Sequence, residues 1–378
     1  MNLLKLIQFL IISIILYSCV STKTALKNYN SAEYAEAANK FKKVLKNNDA
    51  EGNFLLAESL RKSNQLWKSE KYYEDAIKSG YRNEIAYYYL SLAIKSNGNY
   101  DKADSLINVF LKNGKNKDVI KLMKNESLYI SNLRKYPDTS YYKVKNLKDL
   151  NTTFAEYSPS YSDGKLYFVS NRSTEKIYKG TGTPFTDLYE IKTKGAIVDI
   201  NSLKRLEDNI NEEQVNEGSI TFSGDGQYMI FAKGNNGKSS GRNSVDLYFS
   251  RYRRNGWTNP RLLNVNTSRS WDSTPFLSKD GKTLYFSSNR AKGFGGTDIY
   301  KANVNRRGRW INIQNLGPEI NTPGNELFPS VTEDGRLYFS SDNHEGFGGL
   351  DIFVASRRGG EITITNPGKP LNSRGDDF

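Results

Sequence analysis

Four Asp-Gly turns recur through the second half of the chain, and each opens the same phrase. They are SPSYSDGKLYFVSNR (158–172), ITFSGDGQYMIFAKGN (220–235), TPFLSKDGKTLYFSSNR (274–290) and FPSVTEDGRLYFSSDN (328–343). The turn glycines Gly164, Gly226, Gly281 and Gly335 lie 62, 55 and 54 residues apart. Behind each turn comes a strand led by aspartate: TDLYEI, VDLYFS, TDIYKA and LDIFVA, whose acids are Asp187, Asp246, Asp298 and Asp351. An Asp-Gly pair between two alternating apolar runs is a hairpin signal. About four short strands in some 50 residues, repeated, fit the blades of a β-propeller better than any other all-β plan. Residues 145–378 therefore form four recognisable blades and the start of another in LNSRGDDF (371–378).

The run GFGGTDIY at Gly293 returns as GFGGLDIF at Gly346. A glycine-rich loop cradles phosphate where it opens a helix, but here a strand pattern follows. These loops are expected to cross from the second to the third strand of a blade, with glycine serving positive φ and close backbone approach. Asp298 and Asp351 are expected to hold backbone N–H groups of the adjacent turn. A calcium loop would need further spaced carboxylates and a terminal Glu. The Asp-Gly turn is also similar to the sialidase aspartate box, without its tryptophan.

Ahead of the blades, residues 24–135 carry a helical repeat. EYAEAANKFKKVL, QLWKSEKYYEDAI and GNYDKADSLINVF align on Tyr34, Leu66 and Tyr100, at spacings of 32 and 34. A small residue follows three places on (Ala37, Ser69, Ala103) and a bulky one seven places on (Phe41, Tyr73, Ile107). This resembles tetratricopeptide repeats, with a capping helix over KDVIKLMKNESLYISNLRKY. The front helix of the first copy is weak, because TALKN offers few apolar positions. The resemblance implies a groove that binds proteins. Of Tyr87, Tyr88 and Tyr89, one or two line it or pack on the next repeat, since consecutive helical residues diverge.

The first 19 residues, MNLLKLIQFLIISIILYSC, hold one lysine and an apolar stretch from Leu6 to Tyr17. That is the layout of an export signal over 1–18. LYSC ends like a bacterial lipobox, which implies lipidation of Cys19 and a short linker over 19–23. Cys19 is the sole cysteine and His344 the sole histidine. An internal disulfide and a Cys/His metal cluster are thereby excluded, and no cofactor motif is present. The net charge of +13 comes from Lys and Arg scattered along the chain, with no block of five or six, and reads as a solvated basic surface.

The pattern DGKxLYFSSNR…GGTDIY resembles TolB-type propeller repeats. The order lipobox, tetratricopeptide repeats, propeller resembles the front of Bacteroidota OmpA-family envelope lipoproteins, including the PorE-like component of type IX secretion and gliding. The expectation is thus an α + β multidomain chain, a helical solenoid followed by an all-β propeller. The resemblance implies a non-enzymatic scaffold, lipid-anchored in the outer membrane and facing the periplasm, whose partners are other envelope proteins. Nucleic acid is not among them. Peptidoglycan would be reached only through an OmpA-like domain, which does not follow here, and four units are fewer than a six-bladed ring needs. A truncated chain is the reading taken. The alternative is a propeller hydrolase acting on glycan or peptide, whose acids would be non-repeating ones such as Glu212 and Glu213.

Overall fold

The computed structural model describes residues 21–133, 142–172, 175–234, 245–254, 256–268 and 270–378. Cys19 and the expected export signal lie outside the described residues. Among the described residues seven α-helices come first: α1 (Thr22–Asn30), α2 (Tyr34–Val44), α3 (Ala50–Lys62), α4 (Glu70–Lys78), α5 (Ile85–Ser96), α6 (Tyr100–Asn113) and α7 (Lys117–Leu133). Among the described residues, no helix is long and apolar enough to cross a membrane.

The weak front helix does form, as α1. Ser21 accepts the Thr24 N–H, and the Thr24 hydroxyl accepts the Ser21 N–H. This reciprocal cap satisfies two orphan donors. Ala25 then packs fully buried with Ala37, Ala38 and Phe41 of α2 and Leu56 and Leu60 of α3. The small residues let helices approach, so α1 is held by packing rather than by propensity. A second cluster joins Tyr73, Leu90, Ile94, Ala103, Ile107, Met123 and Ile130 along the rest of the solenoid.

Residues 156–365 fold into four antiparallel sheets, one per sequence unit, arranged as a four-bladed β-propeller. In blade 3 the strand order is Asp272–Leu277, Thr283–Ser288, Asp298–Val304 and Trp310–Asn315. Blade 4 repeats it with Glu326–Val331, Leu337–Ser341, Asp351–Arg358 and Glu361–Thr365. Blades 1 and 2 split the outer strand into two short pieces, both paired to the third strand. Each first strand breaks register near its start, between Tyr157 and Ser160, Glu217 and Ile220, Ser273 and Phe276, and Leu327 and Ser330. Such bulges add local twist.

Alternation places one apolar face of each blade against its neighbour. Val169 and Leu188 of blade 1 meet Ile220 and Phe231 of blade 2; Leu247 meets Leu284 and Phe286 of blade 3; Ile299 meets Phe339 and Phe353 of blade 4. Beyond blade 4, Phe378 stacks on Phe328 (4.4 Å) and meets Tyr157 of blade 1 edge-on (5.8 Å). The Tyr142 and Tyr338 hydroxyls lie 3.3 Å apart, a second link between the segment before blade 1 and blade 4.

Candidate interaction site: the helical groove and the propeller loop face

In an antiparallel meander, the loops joining second to third strands and the linkers between blades share one end of the sheets. The hairpin turns share the other. The helical solenoid sits on the loop end and touches both blade 1 and blade 4.

At blade 1, the first turn of α2 has backbone donors without intrahelical partners. Ala35 and Glu36 N–H donate to the carbonyls of Gly180 and Lys179, at 3.1 and 3.3 Å, in the small hairpin Ile177–Tyr178/Thr183–Pro184. Lys179 adds an ion pair to Glu33 at 3.4 Å. At blade 4, the loop after Ser341 is held by three side chains. Tyr129 donates to the Asn343 carbonyl (3.2 Å), Tyr100 to the Phe347 carbonyl (3.1 Å) and Asn132 to the Glu345 carboxylate (3.0 Å).

Behind these contacts lies a set of buried charges. Glu58 is buried, takes both Nε and Nη2 of Arg61 (2.8 and 2.7 Å), and accepts from the Tyr73 hydroxyl at 2.5 Å. Burial works to raise the Glu58 carboxyl, but the bonds and charge of Arg61 outweigh it and hold the acid below its ordinary value. Arg61 also lies over the Tyr89 ring at 4.1 Å, a cation–π contact. Lys95 of α5 pairs with Glu126 of α7 at 2.7 Å, both nearly inaccessible to solvent.

The tyrosine triplet divides accordingly. Tyr87 packs on Phe110 (5.2 Å) and Tyr89 on Tyr73 (6.0 Å). Tyr88 is half-buried; burial, then the charges of Glu126 and Asp342 of blade 4, push its hydroxyl well up. Tyr88 thus stands toward the propeller's own loop.

The blade residues singled out from the sequence fall into two sets. Gly164, Gly226, Gly281 and Gly335 occupy the hairpin turns at φ +72°, +66°, +68° and +82°, the left-handed region where a Cβ is penalised. The strand-leading acids stand at the loop end. Asp187 is gripped by the Nε and Nη2 of Arg205, at 2.9 Å each. Asp298 accepts from Phe294 N–H and Asn315 Nδ2, both at 2.7 Å. Asp351 accepts from Gly348 N–H at 3.0 Å, and burial raises its carboxyl to about 6. Asp246 is part-buried, and burial, then Asp272, raises it.

The glycine loops do cross from second to third strand, but not in a left-handed conformation. None of Gly293, Gly295, Gly296, Gly346, Gly348 or Gly349 has positive φ. Crowding is what requires them. A Cβ at Gly293 or Gly346 would overlap the Asp298 or Asp351 carboxylate, and one at Gly295 or Gly348 the backbone of the next linker, at Thr322 or Arg374.

Two recurrent sets escaped the sequence analysis, and both lie in the linkers between blades. Asn211, Asn266, Asn321 and Asn372 each bond both backbone groups of one third-strand residue. Asn321, for instance, accepts from Ile299 N–H (2.8 Å) and donates to its carbonyl (3.1 Å), and the same clasp holds Leu188, Leu247 and Ile352. Five or six residues after each of these asparagines a carboxylate accepts a backbone N–H of its linker, at Glu217, Asp272, Glu326 and Asp377, and Glu156 does the same at the head of the first strand of blade 1. Arg172 and Arg290 neutralise Glu156 and Asp272 at 2.9 and 2.7 Å. Burial pushes Glu217 up to about 8 and Glu326 to about 7. The repeated Asn at that fixed offset was the signal available.

These acids are occupied within their own blades. His344 lies against Phe339 and Phe353 with Nε2 at 2.9 Å from the Ile320 carbonyl, and burial lowers its pKa. Glu212 and Glu213 pair with Lys233 and Lys176. Among the described residues, no three His, Cys, Asp or Glu converge on a metal position.

Comparison with protein-family models finds no match, and neither does comparison with curated proteins. Solved structures similar to the chain include TolB from Acinetobacter baumannii (16% identity, TM-score 0.37, 58% of this chain and 45% of that one). A puromycin-hydrolysing peptidase from Mycobacterium tuberculosis is similar at 16% identity and TM-score 0.36, over 58% of this chain and 32% of that one. A family 43 endo-arabinanase from Bacillus licheniformis is similar at 13% and 0.33, over 55% and 76%. The chain spans less than half the length of the first two.

Proposed function

We propose that the chain is a non-enzymatic scaffold of the bacterial envelope, lipid-anchored at Cys19 in the outer membrane and binding other envelope proteins through its loop face. Type IX secretion or gliding machinery is the assembly implied by the sequence resemblance. One contrast carries the binding reading. Phe347 and Phe294 hold the same place in the two GFGG loops, yet Phe347 is 4% exposed where Tyr100 bonds its carbonyl, and Phe294 is 47% exposed. One loop is capped by the chain's own helices; the other presents an aromatic anchor of the kind that fills partner pockets. The engagement of the recurrent acids by backbone and arginine groups supports the non-enzymatic part.

Cross-linking in native membranes, mild extraction and mass spectrometry test it. The parent should capture envelope proteins, and Phe294→Ser should lose most of that capture while melting like the parent. Cys19→Ser should release the protein from membranes; retention there would refute the anchor. Turnover of a glycan or peptide library, abolished by Glu212→Gln or Glu213→Gln, would establish the hydrolase instead.

A further inference from the structure

The hairpin end of the propeller, opposite the helices, carries a pattern of its own. Every third strand runs out into a turn that leads to the outer strand, and every such turn is basic. Blade 1 offers Lys192 and Lys194, blade 2 Arg253 and Arg254, blade 3 Arg306 and Arg307, and blade 4 Arg357, all exposed. Among the described residues, no ion pair engages any of them. The inner turns of the same face, between first and second strands, are different. They hold Asp163, Asp225, Asp280 and Asp334, with Lys279–Glu333 and Arg336–Asp334 pairs. Hydrogen bonds from Ser223, Ser278 and Thr332 hold the last three aspartates below their ordinary pKa, so they remain charged. Lys282 is exposed there too, so the face is a weakly acidic centre within a basic perimeter.

We infer that this perimeter binds an acidic polysaccharide. Guanidinium groups match carboxylates in bidentate geometry, and three basic pairs with Arg357 around a rim suit a polymer that tracks it with repeated charge. A flat anionic bilayer would press on the central aspartates as well as on the rim, which sets one sign of charge against the same sign. A glycan brings hydroxyl donors that those carboxylates accept, whereas a DNA backbone brings only acceptors there. The exposed Tyr252 ring, 47% accessible beside Arg253, is an apolar surface for a sugar face. Aromatic tips do not recur blade by blade, as a platform for successive bases would require. This site is on the opposite end from the protein-binding loops and does not depend on them.

The test uses the full chain, titrated calorimetrically with polygalacturonate at about 50 mM salt; the comparators are dextran, single-stranded DNA and phosphatidylglycerol vesicles. Binding to polygalacturonate should exceed binding to the other three and weaken about tenfold or more by about 200 mM salt, as charge-driven binding does. Replacing Arg253, Arg254, Arg306 and Arg307 together by Ala should cost at least about tenfold in affinity without shifting the melting curve. Replacing Lys112, Lys115, Lys117 and Lys121 on the helices by Ala removes as much charge and should leave binding unchanged. Polygalacturonate held no better than dextran, tighter binding of DNA or vesicles, or equal losses in the two variants would each overturn the assignment.

Discussion

The asparagine clasp makes a prediction with its control built into the chain. Asn321 is 2% exposed and makes three hydrogen bonds: from Ile299 N–H, to the Ile299 carbonyl and to Asn315 Oδ1 at 2.7 Å. In Asn321→Ala the Ile299 carbonyl keeps Leu316 N–H, and Asn315 keeps Gly317 N–H. The Ile299 N–H is left in a residue with no accessible surface. An orphaned buried donor costs about 1–3 kcal/mol, and each further lost bond about 1 kcal/mol, so the expected loss is about 3 kcal/mol. For a ring of this size that is roughly 6–12 °C in melting temperature. Asn151 stands in the same sequence context, Leu-Asn-Thr against Ile-Asn-Thr, but is exposed, and its side chain bonds that of Asn146 at 2.9 Å and clasps no strand. Asn151→Ala should change stability by less than about 0.5 kcal/mol. Differential scanning calorimetry is the assay, because it separates the propeller transition from that of the helices. An Asn321→Ala protein melting within about 2 °C of the parent, or equal losses in the two variants, would refute the clasp as a source of stability.

Two further substitutions probe the buried charges. Glu326 is raised in the folded state to about 7 from an ordinary 4.5, so its favourable contribution is complete below pH 4.5 and is lost as pH rises through 7. Glu326→Gln should therefore gain stability relative to the parent between about pH 5 and 7, by about 2 kcal/mol; a difference flat in pH would show that Glu326 titrates normally. Arg61→Ala strands the Glu58 carboxylate against the Tyr73 hydroxyl, with only Lys62 at 4.0 Å left nearby. The helical circular-dichroism transition in urea should lose about 2 kcal/mol, and a loss below about 0.5 kcal/mol would mean that the pair is solvated.

The propeller was legible because its turns need glycine for a local reason. A left-handed φ at Gly164 or Gly281 is a property of four residues, so the letters record it directly. The loops at Gly293 and Gly346 were placed correctly for a partly different cause. Gly295 and Gly348 within them yield to the Thr322 and Arg374 backbones, more than 25 residues away, and no local rule sees that distance. Helix α1 formed against a poor local pattern because Ala25 meets Ala37 and Ala38, again a tertiary fact.

The basic rim is the clearest case of information present in the sequence at a spacing that a search for runs does not gather. Lys and Arg look scattered when judged by runs, and runs are the proper test for a chain whose neighbours in sequence are neighbours in space. In a propeller the neighbours in space are one blade period apart. Arg253, Arg306 and Arg357 are separated by 53 and 51 residues, close to the interval of the turn glycines, so even dispersal along the chain becomes concentration on one face. The same folding of the period gathers the aspartates of the Asp-Gly turns at the centre of that face. Charge in such a chain has to be counted by blade position, and counted so, the hairpin face of the propeller separates into a weakly acidic hub and a cationic edge.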